Sequence, residues 1–333
     1  MSVRVSILMA VYNGEQYLRK AMDSALQQDG VDDVELLCVD DASTDASLQI
    51  IDEYAARDSR VRVFRQPTNQ GQAVARNLAL REARGEYVVM LDADDWLSED
   101  ALRRALAVFD AHRETDCVVL RLMMHDQESG VQTPYPLRLP QSVSDMDKYA
   151  LSGSEAFRLS LDWSIHGLYV VRSGLHKRYP FDTSCRLYSD DNTTRLHYLH
   201  SREVRFCEGV YYYRKHESSC TTAISVNRFL YMDANLSMLR TLEEEHVSRD
   251  IIQAYDDMRW DVYLGLWRLY YKHKAAFTKV ERVDIRMKFA RFYPTLHPSN
   301  KLRRFGYKWF SSYRLFVAQE WAFMSLRRLL GRD

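Results

Sequence analysis

The chain has 333 residues, 46% of them hydrophobic and 28% charged, enough for a large core and suited to one large domain with an appendage, or to two domains. Lys+Arg and Asp+Glu both total 46, so the formal net charge is zero and nothing in the overall balance calls for a nucleic acid partner. The five cysteines are scattered, odd in number and without CxxC spacing, which argues against a disulfide framework and a zinc site and suits a reducing compartment.

The start runs directly into Val3-Arg4-Val5-Ser6-Ile7-Leu8-Met9, with no basic region, apolar core and cleavage site of a secretory signal. No apolar run reaches the roughly 18 residues of a membrane span, so the expected location is the cytoplasm. Val3–Tyr12 reads as a buried strand, and Tyr17, Leu18, Met22, Ala25 and Leu26 follow at helical spacing. Val34–Asp40 is a second strand, and Ser43-Thr44-Asp45 can cap a helix over Leu48–Ala56. Val61–Arg65 is a third strand, Ala73–Ala83 a helix that Gly85 ends, Glu86–Leu91 a fourth strand. Ser98 is placed to cap Glu99–Ala111, and Cys117–Leu122 makes a fifth strand.

Strands alternating with helices of this length predict right-handed crossovers and a mostly parallel sheet covered on both faces, with ligands outside the carboxyl ends of the strands. Polar clusters fall at those ends: Tyr12-Asn13, Asp40-Asp41 and Asp92–Asp95. After Gly130 the rhythm changes. Thr133–Pro140 reads as a loop or an irregular edge, Ser154–Leu161 as a short helix, and Gly167–Arg172 and Glu203–Tyr213 as strands; from about Ser225 the chain reads as helical to its end.

Carboxylates crowded at neighbouring strand ends repel one another unless a cation neutralises them. Hard divalent ions such as Mg²⁺ or Mn²⁺ take one or two carboxylates and complete their shell with substrate phosphate oxygens and water. Asp92-Ala93-Asp94-Asp95, directly after an apolar strand, supplies such ligands, whereas alone it would read as a helix-capping loop.

The surrounding segments carry a resemblance. Ser6-Ile7-Leu8-Met9-Ala10-Val11-Tyr12-Asn13 resembles the opening strand of family 2 glycosyltransferases. Similar in order and spacing are Val39-Asp40-Asp41-Ala42-Ser43-Thr44-Asp45, Asn69-Gln70-Gly71 with Ala75-Arg76-Asn77, and Gly85-Glu86-Tyr87 leading into Leu91–Asp95. The resemblance implies an α/β fold: a single Rossmann-like domain of the A-type glycosyltransferase (GT-A) kind that binds a nucleotide sugar, with a C-terminal helical extension. The expected boundaries are residues 1–222 for the catalytic domain, with 1–125 the nucleotide-sugar half and 126–222 the acceptor half, and 223–333 for the helical region. Val11, Tyr12, Glu15, Asp40, Asp41, Arg76, Asp92, Ala93 and Asp94 form the implied donor-binding set, with Tyr12 against the base, Asp41 on the base or ribose, Asp92 on the ribose and Arg76 toward the diphosphate. Asp94 is the first choice for direct Mn²⁺ or Mg²⁺ contact, and the run of acids leaves Asp95 open as the second.

Tyr188-Ser189-Asp190-Asp191-Asn192 resembles the family's Glu-Asp pair, with Asp190 in the glutamate's place and Asp191 in that of the general base. A base acting opposite the leaving diphosphate implies inversion at the anomeric carbon. The plainer reading is that the pair caps the next helix. Tyr211-Tyr212-Tyr213-Arg214-Lys215-His216 is also similar to a family segment, implying that His216 completes the metal shell or meets the diphosphate and that Arg214 or Lys215 neutralises the leaving group. Trp163 and His166 could line the acceptor site.

Residues 301–332 carry eight Lys and Arg against Glu320 alone, interleaved with aromatic and aliphatic side chains. That pattern suits peripheral contact with an anionic membrane, as for a lipid-linked glycan acceptor, and equally helices packed on the catalytic domain or a homo-oligomer interface. Two rivals stand beside the glycosyltransferase reading. A nucleotidyltransferase would need a Gly-rich basic phosphate loop, which Ala10-Val11-Tyr12-Asn13-Gly14-Glu15 lacks; a non-catalytic scaffold would not need intact acidic motifs.

Overall fold

The computed structural model describes residues 3–139, 149–215, 224–299, 302–303, 307–308 and 312–330. The chain forms two compact units, Met1–Ser219 and Cys220–Asp333.

The first unit opens with β1 (Val5–Val11), α1 (Leu18–Leu26), β2 (Val34–Asp40), α2 (Ser47–Arg57), β3 (Val61–Arg65), α3 (Gln72–Glu82) and β4 (Tyr87–Met90). It continues through β5 (Trp96–Leu97), α4 (Ala101–Ala111), β6 (Thr115–Asp126), β7 (Gln132–Pro134), β8 (Ala150–Leu151), α5 (Gly153–Leu161), β9 (Tyr169–Arg172), α6 (Ser173–Arg178), α7 (Ser189–Leu199) and β10 (Glu203–Lys215). The sheet order is β3-β2-β1-β4-β9-β6-β10-β5, with β7 on β6 and β8 on β10. β1, β2, β3 and β4 pair in parallel, as do β6 and β10, while β9 lies antiparallel between β4 and β6. The chain winds outward from β1 to β3 and then returns to β4 on the other side, which leaves a crevice at the carboxyl ends of β1 and its two neighbours.

Both faces of the sheet are covered, so β1 can be apolar almost throughout. Val5, Ile7, Met9 and Val11 pack with Met22 of α1 and Phe109 of α4, whereas Leu8 faces Ala75 and Ala79 of α3. β2 and β3 have the expected limits. Gly85 does not end α3, which stops at Glu82. Its place is a close approach: a Cβ there would lie 2.6 Å from the Ser6 backbone nitrogen of β1. Ser98 does not cap α4 either, because its hydroxyl donates to Asp100 at 2.9 Å and accepts from the Val210 amide of β10 at 3.0 Å. Part of Thr133–Pro140, read as a loop or an irregular edge, is the edge strand β7, paired with β6, which runs beyond Leu122 to Asp126.

The second unit contains α8 (Leu230–Glu244), α9 (Arg249–His273), α10 (Lys279–Phe292) and α11 (Tyr313–Leu329). Its core is aromatic: Trp260, Tyr263, Trp267, Phe289 and Phe316 are all buried. Thr278 and Glu281 close a reciprocal capping box at the start of α10. The expected helix to the end of the chain is interrupted by a short antiparallel pair, β11 (Leu302–Arg303) and β12 (Tyr307–Lys308). Alternating basic and apolar residues satisfy a two-residue period as readily as a helical one over so short a stretch. Among the described residues, no helix is long and apolar enough to cross a membrane.

Candidate active site

The loops after β1 and β2 are stitched together. Asn13 Oδ1 accepts from the Thr44 amide at 2.8 Å, Gly14 N–H donates to Ser47 Oγ at 2.8 Å, and Glu15 accepts from the Ala46 amide at 2.8 Å. Asp45 accepts from the Ser47 amide at the first residue of α2 at 2.9 Å, but the N-cap position itself falls on Ala46, and no side chain caps the helix there. Asn13 and Ala42 both hold positive φ, 52° and 61°, a conformation non-glycine residues rarely adopt. The frame leaves Tyr12 51% exposed above the buried Val11, an open aromatic face at the crevice.

Asp40 and Asp41 are buried behind this frame. Asp40 accepts weakly from the Ser43 amide at 3.3 Å. Asp41 is engaged more fully, accepting from Gln66 Nε2 at 2.9 Å and from the Gln70 and Gly71 amides at 2.8 Å. It thereby fixes the loop into α3, where Gly71 sits at φ 92°. The expected contact of Asp41 with a base or ribose must therefore use the lone pairs these three donors leave.

Asp92, Asp94 and Asp95 each bring a carboxylate oxygen within 4.8 Å of the others, at the end of β4. Their environments differ. Asp92 and Asp94 are half-buried, whereas Asp95 is 1% exposed and accepts from Tyr211 Oη at 2.9 Å and from the Arg214 amide at 2.7 Å. Burial pushes the Asp95 carboxyl well above the usual carboxylate range, and the charges of Asp92 and Asp94 push it further, while the Arg214 amide and Tyr211 hydroxyl pull it back. Such a cluster holds three carboxylates close together, with Asp92 paired to Arg76, and fits a hard divalent cation. Ala93 lies inside this turn, its Cβ 3.4 Å from where a Cβ on Gly14 would stand.

Arg214 packs against the acidic turn. It is 6% exposed, donates from Nε to the Asp94 carbonyl at 2.7 Å and from Nη1 to Gln127, and lies over the rings of Tyr17 and Trp96. Its side chain is a strut for the acidic turn. Lys215 is exposed at the end of β10, and His216 lies outside the described residues.

Arg76 is 1% exposed; Nη2 donates to Asp92 at 2.6 Å and Nη1 stands 4.0 Å from Asp190. The next residue, Asn77, exchanges two hydrogen bonds with the Phe181 backbone, at 2.8 and 2.9 Å. Helix α3 therefore ties the acidic turn to the segment that leads into α7. That helix begins just after Tyr188, held at φ 66°, and carries Asp190 and Asp191 in its first turn, both half-buried. Trp163 is half-buried under Arg195, whose guanidinium centre lies 5.1 Å from the ring. His166 is buried, with its imidazole pushed down to about 3 by loss of solvent, so it is a neutral side chain of the interior.

Sequence reasoning passed over Tyr211, whose hydroxyl also accepts from the Asp92 amide at 3.2 Å and so bonds two residues of the acidic turn. It missed β5 as well, where Trp96 stacks on Tyr212 with centroids 5.0 Å apart. The only local signal was an aromatic run in a strand.

The family model of glycosyl transferase family 2 matches residues 6–177, just over half of the chain. An uncharacterized glycosyltransferase of Haemophilus influenzae is 45% identical over 102 residues, 31% of this chain and 40% of that one, so the similar stretch spans less than half of that relative. Among solved structures, Staphylococcus aureus TarS 1-349 in complex with UDP-GlcNAc superposes with a TM-score of 0.66 at 20% identity, covering 89% of this chain and 82% of that one. The mannosyltransferase PcManGT of Pyrobaculum calidifontis, in complex with GDP-Man and Mn²⁺, gives a TM-score of 0.55 at 17% identity over 100% of this chain and 89% of that one. The parallel β1–β4 half with its acidic turn, the GT-A fold of these neighbours and the extent of the family match lead to one assignment: the chain belongs to glycosyl transferase family 2.

Proposed function

We propose that the chain moves a sugar from a nucleoside diphosphate sugar, UDP-linked, onto a hydroxyl of a glycan or lipid-linked glycan, with inversion at the anomeric carbon. The observation that carries this reading is the Asp92–Asp94–Asp95 cluster at the mouth of the β1/β4 crevice, linked through Arg76 to Asp190. The UDP-GlcNAc complex of TarS, a fold neighbour, supports the choice of donor class.

In this reading Tyr12 stacks on the base, and Val11, Glu15, Asp40 and Asp41 shape its pocket by holding the backbone around it. Asp92, steered by Arg76, faces the ribose, and Ala93 keeps the turn narrow beside Gly14. Asp94 holds a Mn²⁺ or Mg²⁺ ion directly, while Asp95, already bonded to Tyr211 and Arg214, fixes the turn. A divalent cation there supplies Lewis-acid stabilisation of charge building on the departing diphosphate. Asp191 accepts the proton of the acceptor hydroxyl as that oxygen attacks, and Asp190 keeps the first turn of α7 in register with Arg76.

The test is nucleotide release by the full chain, with UDP-sugars and Mn²⁺, in the wild type and in Asp191→Asn and Asp94→Asn. Asp191→Asn should lower turnover by about 10²–10⁴-fold with donor binding intact. Asp94→Asn should abolish the Mn²⁺-dependent part of donor binding. Near-normal turnover by Asp191→Asn, or donor binding indifferent to chelator, would remove the respective assignment.

A further inference from the structure

The second unit has a cleft of about 930 Å³ between the end of α9 and the helices α10 and α11. Its rim and walls include Lys272, Lys274, Arg282, Arg286, Arg314 and Arg328, and among the described residues no carboxylate lines it. The chain as a whole is neutral, so this gathering of cations is local. Elsewhere in the same unit cations are matched, Arg259 with Asp256 at 2.5 Å and Lys288 with Asp233 at 2.6 Å. Around the cleft, among the described residues, Lys272, Lys274, Arg282, Arg286 and Arg314 form no ion pair. Like charges held together without counter-charge repel, and an anion relieves that repulsion.

The floor is aromatic. Trp267 and Tyr270 line the cleft at 7% and 5% exposure. The surroundings are apolar and exposed. Of the large hydrophobic side chains most open to solvent, Val280, Val283 and Met287 lie on α10, and Leu315, Trp321 and Leu326 on α11. On α10 the exposed Val283 and Met287 each follow a cleft-lining arginine by one residue, about 100° round the helix.

A cationic cleft with an aromatic floor and an apolar fringe matches a phosphate at the surface of a bilayer better than a phosphate in free solution. The phosphate enters the cleft, and the fringe meets the acyl boundary. We propose that this cleft seats the phosphate headgroup of an anionic phospholipid and holds the protein to a membrane surface by its second unit.

The test is flotation of the full-length protein with vesicles of phosphatidylcholine alone and of phosphatidylcholine with one-third phosphatidylglycerol. The inference expects binding to the anionic vesicles only, released by high salt. Neutralising three cations in Arg282→Gln/Arg286→Gln/Arg314→Gln should weaken it by roughly fivefold per charge, on the order of a hundredfold together. The triple variant must keep the wild-type melting temperature and Mn²⁺-dependent donor response; if it does not fold, single Arg286→Gln and Arg314→Gln should each show the fivefold step. Glycerol 1-phosphate and inorganic phosphate, added without vesicles, form the second arm. Equal binding to neutral vesicles, unchanged binding by the variants, or binding of the free phosphates with no vesicle binding would each overturn the inference.

Discussion

Replacing Tyr211 by Phe removes one hydroxyl and keeps the ring. In the structure that oxygen donates to buried Asp95 at 2.9 Å and accepts from the Asp92 amide at 3.2 Å. A hydrogen bond to a charged group contributes about 1.5–3 kcal/mol, and leaving the half-buried Asp92 amide unpaired adds about 1 kcal/mol. Tyr211→Phe should therefore destabilise the protein by about 2–4 kcal/mol, a melting shift of roughly 5–15 °C for a unit of this size. The same hydroxyl holds the turn that carries the proposed metal ligand, and losing such an outer partner typically costs about 10–100-fold in metal affinity. Differential scanning fluorimetry with a UDP-sugar and increasing Mn²⁺ reads both quantities at once. The midpoint of the Mn²⁺ response should move upward by that factor while its maximum persists. A Tyr211→Phe protein with wild-type melting and a wild-type Mn²⁺ midpoint would refute the view that β10 positions the acidic turn. A stability loss with no change in the midpoint would reduce Tyr211 to a packing residue.

Three further outcomes follow from named contacts. Arg76→Gln breaks a buried ion pair and should cost about 3 kcal/mol by urea denaturation, at the low end for such pairs because Asp92 is partly exposed. It should also raise the KM for donor; an unchanged KM would separate Arg76 from the site. Burial pushes the Glu320 carboxyl up to about 7 from its ordinary 4.5, with Arg268 pulling it back, so the folded state prefers the protonated form. Its contribution is complete below 4.5 and lost as pH rises to about 7, at most about 3 kcal/mol, and Glu320→Gln should flatten urea stability between pH 5 and 8. Equal pH slopes in both proteins would count against it. Gly85→Ala places a Cβ 2.6 Å from the Ser6 nitrogen and should destabilise by about 1–3 kcal/mol or more in thermal melts; a neutral result would mean that the loop relaxes freely.

The donor half was legible because its central strands are buried on both faces. β2, buried at every residue, reads as a mostly apolar run and ends where the structure ends it, at Asp40, while the edge strand β3 alternates Val and Arg and ends at Arg65, so the polar clusters could be assigned to strand ends. The other half was less legible for a physical reason. β9 pairs antiparallel with both neighbours and β5 is two residues long, so neither carries a periodic signal strong enough to fix its partner. The choice between Asp94 and Asp95 was out of reach for a different cause. Adjacent acids in one turn look alike in sequence, and what separates them is a hydroxyl 116 residues away that takes Asp95 into the interior.

Arg76 shows how a residue of uncertain local meaning acquires one from tertiary context. On α3 it would pass for a solvated helix arginine, yet burying it unpaired would be prohibitive. The structure resolves this by placing Asp92 at 2.6 Å on one side and Asp190 at 4.0 Å on the other. Two carboxylates from opposite halves of the site thus share one buried cation, and Asn77 locks the intervening segment through Phe181. An arginine can span both because its fork offers separate nitrogens in fixed geometry, which a lysine cannot. Any displacement of the acidic turn, whether by ligand or by mutation, is then felt at the first turn of α7. Donor binding and the position of the proposed base should change together, so a donor-induced change in the environment of α7 should vanish in Arg76→Gln.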